Sequence, residues 1–227
     1  MCRSRHGPGS TLTDGTLFPS PGLYDGDLWS GLRVGLLGGS FNPAHDGHVH
    51  ISRAALQRLR LDCVWWLVSP QNPLKAAEGM APLEERVHLA EQTARHPRIL
   101  VTDIERRLGT RHTAATLEKL CARFSATRFV WLMGADNLLQ IPTWHRWTQI
   151  FNRVPIAVFD RPTYSLGALS GQAAQRYARH RLPASRAPCL ASGAPPAWVF
   201  LAIRRHGASA TEIRNGVEYQ YAPTMKG

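Results

Sequence analysis

Two histidines three residues apart, His45 and His48, follow directly on Gly38-Gly39-Ser40-Phe41-Asn42-Pro43-Ala44. An apolar run of strand type, residues 34–37, leads into the glycines, and a helical pattern begins near the histidines. A strand, a glycine turn and a helix start in that order suit an anion, because unpaired backbone N–H groups and the helix dipole both favour negative charge there. Side chains at i and i+3 share a helix face, so both imidazoles can reach one anion. Together with the Ser40 hydroxyl, this arrangement suits the phosphates of a nucleoside triphosphate. The blander alternative is a pair of histidines capping a turn. The convergence of glycines, hydroxyl and helix start on one point outweighs it. The segment lacks the Gly-Lys-Ser/Thr ending of a P-loop, and residues 35–40 do not carry Gly-x-Gly-x-x-Gly, which disfavours hydride transfer on a dinucleotide.

A second anion-binding pattern lies far downstream, at Ser209-Ala210-Thr211-Glu212-Ile213-Arg214. Ser209 or Thr211 can cap a helix with Glu212 in its first turn. The same two hydroxyls, with the permanently charged fork of Arg214 three residues on, also make a phosphate site.

Elements able to position these residues can be read along the chain. Residues 34–37, 64–68, 99–102, 129–133, 156–159 and 198–201 form short strand candidates, most of them continuously apolar, as strands covered on both faces require. Helical patterns lie between them: one through Ile51, Ala55 and Leu59; one opened by Pro82 and running through Val87 to Ala94; and one from Thr113 to Phe124. This alternation predicts an α/β fold, a Rossmann-like doubly wound parallel sheet with helices on both faces, in a single domain. Such sheets bind ligands at the carboxyl ends of their strands. The Gly38–His48 turn and Gly134-Ala135-Asp136-Asn137 each follow a strand and are expected to face one cleft. Residues 160–197 read as a helix with long flanking loops.

Composition bounds the function class. The 227 residues suit one domain, and 44% hydrophobic content supports a substantial core. No apolar run reaches the ~18 residues of a membrane span, and no membrane partner is expected. Residues 1–32 are read as a poorly ordered extension without the apolar stretch of a secretory signal, residues 33–215 as the domain, and 216–227 as a tail. Four scattered cysteines, Cys2, Cys63, Cys121 and Cys189, suggest neither a zinc site nor a disulfide framework and fit the reducing cytoplasm. The net charge of +11 invites a nucleic-acid reading. It is uneven, however, and a polyphosphate ligand also calls for positive potential, so nucleic acid is not expected as the partner.

With the intervening segments included, the chain resembles the nucleotidyltransferase α/β phosphodiesterase superfamily. More narrowly it resembles the bacterial nicotinate-mononucleotide adenylyltransferases. The paired signature is Gly38–His48 with Ser209–Arg214. Ser69-Pro70-Gln71-Asn72-Pro73-Leu74-Lys75, Arg111-His112-Thr113-Ala114-Ala115-Thr116-Leu117, Gly134-Ala135-Asp136-Asn137-Leu138 and Pro142-Thr143-Trp144 match further elements in order and spacing, so that residues 32–215 are covered. The resemblance implies transfer of AMP from ATP to nicotinate mononucleotide, releasing pyrophosphate, by direct in-line attack with Mg²⁺ accompanying ATP and no protein ligand assigned to the metal. It implies a catalytic role for His45, His48 and Arg214, and ATP binding by Gly38, Gly39, Ser40, Phe41, Ser209 and Thr211. Thr113 and Trp144 would place the pyridine ring and its carboxylate, and Asp136 would contact a ribose. Trp144 reads equally as a core aromatic, at helical spacing from Trp147 and Phe151, and Lys75 equally as a solvated loop charge. Asn42 stands where relatives often have Asp, and Leu74 where many have a basic residue. The chain ends thirteen residues after Arg214, where relatives usually carry a longer helical tail. Preference for nicotinate over nicotinamide mononucleotide, and assembly into a homo-oligomer, are left open by the sequence.

Overall fold

The computed structural model of the protein describes residues 17–70, 80–160 and 165–203. Among these, seven strands form one sheet: β1 (Arg33–Gly39), β2 (Cys63–Val68), β3 (Ile99–Thr102), β4 (Arg128–Gly134), β5 (Ile156–Phe159), β6 (Arg181–Leu182) and β7 (Trp198–Leu201). The spatial order is β3-β2-β1-β4-β5-β7-β6, and every neighbouring pair is parallel. All six strands expected from the sequence are present. β6, two residues at the sheet edge, is too short to produce a periodic signal.

The continuous apolar runs have the reason the sequence suggested. On β2, Trp65 and Leu67 enter one core layer while Val64, Trp66 and Val68 enter the other, so every residue of the strand is buried. The helices α1 (Asp46–Arg58) and α2 (Leu83–Thr93), with a 3₁₀ segment at Ala184–Ser192, cover the Trp66 face. The Trp65 face is covered by α3 (Ile104–Leu108), α4 (Thr113–Arg123), α5 (Ala135–Gln140) and α6 (Trp147–Arg153), followed by α7 (Ser165–Ser170) and α8 (Gln172–Arg176). Pro82 sits one residue earlier than expected, as the N-cap of α2. Residues 160–197 hold more structure than one helix with loops: α7, α8, β6 and the 3₁₀ segment all fall there.

The strand order reverses between β1 and β4, whose carboxyl ends are adjacent. β1 ends in Gly38-Gly39 and β4 in Gly134, immediately before α5. The two polar turns therefore flank the switch point of the sheet, where open α/β folds bind ligands. Gly38 is fixed by packing: a Cβ there would lie 2.5 Å from the Trp131 ring of β4. No helix among the described residues is long and apolar enough to cross a membrane.

The boundary at residue 32 falls too late for the packing. Residues 1–16 lie outside the described residues, but the segment 17–32 packs on the domain, with Pro21 and Trp29 buried. Trp29 is 1% exposed and meets Trp65 edge-on at 4.7 Å, with Phe18 stacked on its other side at 5.7 Å. Backbone bonds from Gly31 N–H to the Ala126 carbonyl (2.9 Å) and from Leu17 N–H to the Pro97 carbonyl (3.0 Å) tie the segment down. A polar, glycine-rich composition concealed one aromatic anchor. Replacing Trp29 by Ala should destabilise the domain by about 3–5 kcal/mol in urea unfolding. A loss below about 1 kcal/mol would show that residues 17–32 are not part of the cooperative unit.

Candidate active site

The loop after β1 and the start of α1 form one interlocked unit. His45 is the N-cap of α1 with extended backbone, and its Nδ1 accepts from Gly47 N–H at 3.1 Å. His48 returns the contact: its Nδ1 accepts from His45 N–H at 3.2 Å. This is a capping box built from two imidazoles instead of a hydroxyl and a carboxylate. The tautomer follows, since an Nδ1 that accepts from the backbone leaves the proton of a neutral ring on Nε2. In its neutral form each imidazole thus carries its remaining proton on Nε2. The rings are 3.9 Å apart, and His45 is 5% exposed.

The pair rests on an aromatic floor. Phe41 adopts φ 47°, a left-handed conformation that costs a non-glycine residue about 1–3 kcal/mol and persists only where its surroundings enforce it. Its buried ring stacks on Trp66 at 5.0 Å and meets His48 at 4.7 Å. Trp66 is held in turn, donating from Nε1 to Ser52 Oγ at 2.8 Å, while the Ser52 hydroxyl donates to the His48 carbonyl at 2.8 Å. The Phe41 ring therefore supports His48 against Trp66.

Arg86 holds the strand ends together from below. Almost wholly buried on α2, its guanidinium donates to the carbonyls of Ser40 (2.6 Å), Ser69 (2.8 Å), Pro70 (3.1 Å) and Ala81 (2.9 Å). One planar fork thus fixes the loops leaving β1 and β2. Burial lowers its pKa from the usual arginine value. Asn42, in place of the expected Asp, uses its side-chain oxygen to accept from Ala81 N–H at 3.3 Å, which brings the phosphate loop to the start of α2.

On the opposite face of the sheet lie the residues expected at the pyridine. Thr113 is the first residue of α4, half-buried. Trp144 is half-buried and packs partly against the core. The two segments meet through their neighbours, as the His112 and His145 rings lie 4.7 Å apart. Asp136 stands in the first turn of α5, at the end of β4. The structure thus places Gly38, Gly39, Ser40, His45 and His48 after β1 and Asp136 after the adjacent β4, with Thr113 at the start of α4 and Trp144 after α5. Lys75, Ser209, Thr211 and Arg214, with Leu74, lie outside the described residues.

Beneath Thr113 is a polar network that the sequence reading missed. Glu105 of α3 is 6% exposed, and its carboxylate accepts from the Thr116 hydroxyl of α4 at 3.0 Å. Thr116 Oγ1 also lies 2.9 Å from Thr110 Oγ1 and 3.3 Å from the His112 carbonyl. Burial pushes the Glu105 carboxyl up to about 7, against smaller opposing effects from the hydroxyls of Thr116 and Ser69.

Two predictions follow from these buried groups. Arg86→Lys keeps the charge but cannot reach four carbonyls, and should lower stability by about 2 kcal/mol or more in denaturant unfolding; an unchanged midpoint would contradict the role given to the fork. For Glu105 the folded pKa lies above the unfolded value, so the folded state binds the extra proton. Stability is full below about pH 4.5 and is lost as pH rises through 7. Glu105→Gln should therefore become more stable than the wild type by about 3 kcal/mol near pH 8, with little difference near pH 4. Parallel pH–stability curves would show that Glu105 is not the titrating group.

Comparison with known proteins agrees with this geometry. The family model described as Cytidylyltransferase-like matches residues 36–216. A protein of Parvibaculum lavamentivorans is 54% identical over 187 residues, covering 82% of this chain and 93% of its own length. One from Methylorubrum extorquens is 52% identical over 183 residues (81% and 99%), and one from Cereibacter sphaeroides 55% over 181 residues (80% and 96%). Each is named "Probable nicotinate-nucleotide adenylyltransferase". Among solved structures, the nicotinic acid mononucleotide adenylyltransferase of Plasmodium falciparum complexed with NaAD superimposes with a TM-score of 0.60 over 81% of this chain and 83% of its own. At 13% identity that likeness speaks to the fold alone. With a matching family model and relatives above half identity over four-fifths of its length, the chain belongs to the cytidylyltransferase-like nucleotidyltransferases and, within them, to the nicotinate-nucleotide adenylyltransferases.

Proposed function

We propose that the protein transfers AMP from ATP to nicotinate mononucleotide, producing deamido-NAD and pyrophosphate for NAD biosynthesis. The observation that carries this reading is the imidazole capping box at the switch point of the sheet, directly after the Gly38-Gly39-Ser40 turn. The identity to relatives bearing that activity's name supports it.

The mononucleotide phosphate is already anionic at neutral pH, so it needs little help from a general base. It attacks the α-phosphorus, the bond to the bridging oxygen breaks, and pyrophosphate leaves with the electron pair. The protein's work is then alignment for in-line displacement and compensation of charge on the leaving group. In this reading His48 donates to the α-phosphate in the transition state with His45 beside it. Ser40 and the Gly38-Gly39 backbone cradle the triphosphate, joined by Ser209, Thr211 and Arg214 from the downstream motif. Thr113 and Trp144 hold the pyridine, Asp136 a ribose, and Lys75 is a further substrate contact.

The described residues contain no group of three or more His, Cys, Asp or Glu side chains arranged to hold a metal. In this reading Mg²⁺ enters on the triphosphate and keeps phosphate and water ligands, as this ion commonly does. Bound there, it would supply further charge compensation on the phosphates. Small-molecule substrates, a cytoplasmic setting and no nucleic-acid partner complete the reading.

Pyrophosphate release with ATP and Mg²⁺ tests it, with nicotinate mononucleotide, nicotinamide mononucleotide and phosphopantetheine compared as acceptors. Strong preference for the first is expected; preference for phosphopantetheine would keep the triphosphate site and overturn the pyridine assignment. His48→Ala should lower kcat by about 10²–10³ with the fold intact, the usual cost of losing one transition-state donor. A fall below tenfold would remove His48 from that role.

A further inference from the structure

The phosphate site does not explain why a carboxyl group is buried under the other half of the cleft, nor what the second threonine of the Thr113-x-x-Thr116 pattern does. We propose that Glu105 is a positioning residue for the pyridine mononucleotide, acting through a proton relay that runs from its carboxyl by way of the Thr116 hydroxyl to the first turn of α4. This inference rests on the proposed function, since it assigns the start of α4 to the pyridine nucleotide.

The argument is one of hydrogen counting. The Thr116 hydroxyl has one proton and three acceptors in reach: Glu105 Oε1 at 3.0 Å, Thr110 Oγ1 at 2.9 Å and the His112 carbonyl at 3.3 Å. When Glu105 is ionised it is the strongest of the three and draws the proton to itself, because a charged acceptor outcompetes neutral ones. The His112 carbonyl then keeps only the backbone bond from Thr116 N–H, at 3.0 Å. When Glu105 is protonated the hydroxyl reverses. The carboxyl O–H donates to Thr116 Oγ1, and the Thr116 O–H is released to donate within the turn, to the His112 carbonyl or to Thr110 Oγ1. The neutral state therefore braces the turn that carries His112 and Thr113 and places no charge beneath an anionic substrate. The ionised state loosens that turn and adds a negative charge under it.

The surroundings make Glu105 the titrating partner in this relay. Among the described residues, the side chains that bond to it or to its partner Thr116 are hydroxyls: Ser69 from the end of β2, Thr110 from the α3–α4 turn and Thr116 from α4. Thr110 N–H also donates to the Glu105 carbonyl at 3.0 Å, which closes the turn. Charged neighbours are engaged elsewhere. On its own helix, Arg106 pairs with Asp103 and Glu84, and Arg107 with Asp103. From α4, Lys119 donates to the Leu108 carbonyl at 2.6 Å, and His112 contributes its main-chain oxygen. From α2, Arg86 reaches Ser69 only at its carbonyl. Burial then carries the carboxyl's titration to about pH 7, where the relay can switch under ordinary conditions.

The test is the pH profile of KM for each substrate in the wild type, Glu105→Gln and Thr116→Val, from about pH 6 to pH 8.5. Gln resembles the neutral carboxyl permanently, and Val removes the relay at nearly constant volume. In the wild type, KM for nicotinate mononucleotide should rise about fivefold or more relative to either variant, the lower range of ordinary site-to-site coupling, while KM for ATP runs parallel in all three. Titration of the substrate's own phosphate is common to the three proteins and cancels in the ratio. Turnover with parallel mononucleotide profiles overturns the relay and leaves the proposed function standing; failure to use nicotinate mononucleotide at all overturns both. Should Glu105→Gln not fold, Thr116→Val decides alone, a flattened profile supporting the relay and a wild-type slope ending it.

Discussion

The reciprocal capping of α1 by its own two histidines is the constraint on which the candidate site depends. A helix start leaves backbone N–H groups without partners, and serine, aspartate or glutamate usually supply the acceptors. Here His45 and His48 do so, each using Nδ1. The consequence is chemical as well as structural, because committing Nδ1 to the backbone fixes the ring plane and leaves the remaining proton of a neutral ring on Nε2. Whatever loosens the helix start also misaims the donors. The helix start and the orientation of both rings thus rest on the same four hydrogen-bonding atoms.

That unit would be of little use without the supports beneath it. Phe41 is kept in a left-handed conformation by the stack with Trp66, and Trp66 is kept in place through Ser52, a residue of α1 itself. The path returns to the His48 carbonyl, so the aromatic floor and the helix it supports stabilise one another. Arg86 performs the corresponding task for the backbone, joining the ends of β1 and β2 to the start of α2. On the other face, Glu105 and the threonines tie α3 to α4. The sheet edge is therefore clamped from both sides, and the cleft lies between two polar networks that each reach a residue at the end of β2, Ser69.

Much of this was legible in the sequence, and the reasons for success and failure differ by residue type. Strands buried on both faces announce themselves as apolar runs, and β1, β2, β4 and β5 were read almost to the residue. The imidazole pair was legible because glycine, hydroxyl and helix start occur in a fixed order around it. The supports were not. Arg86 lies on an amphipathic helix among Glu84, Glu85 and His88, where a charged residue is ordinarily solvated, and only the fold reveals that it points at the strand ends. Glu105 stands next to two arginines and reads as part of an exposed charge run, although α3 turns it inward. Trp29 was hidden by the polar residues around it. In each case the missing information was the direction of one side chain, which depends on contacts distant in sequence.

The burial of Arg86 has an electrical consequence. Its hydrogen bonds all go to neutral carbonyls, and it forms no ion pair with a carboxylate among the described residues. A positive charge therefore sits beneath the glycine turn with no ion-pair partner among the described residues and only a Coulombic neighbour in Glu84. At an effective dielectric of about 20, an anion some ~8 Å away gains roughly 2 kcal/mol for each negative charge. Mobile ions reach surface arginines readily but screen an enclosed charge much less. Part of the cleft's attraction for a polyphosphate is thus built into the protein interior and should persist at ionic strengths that silence the remainder of its basic surface.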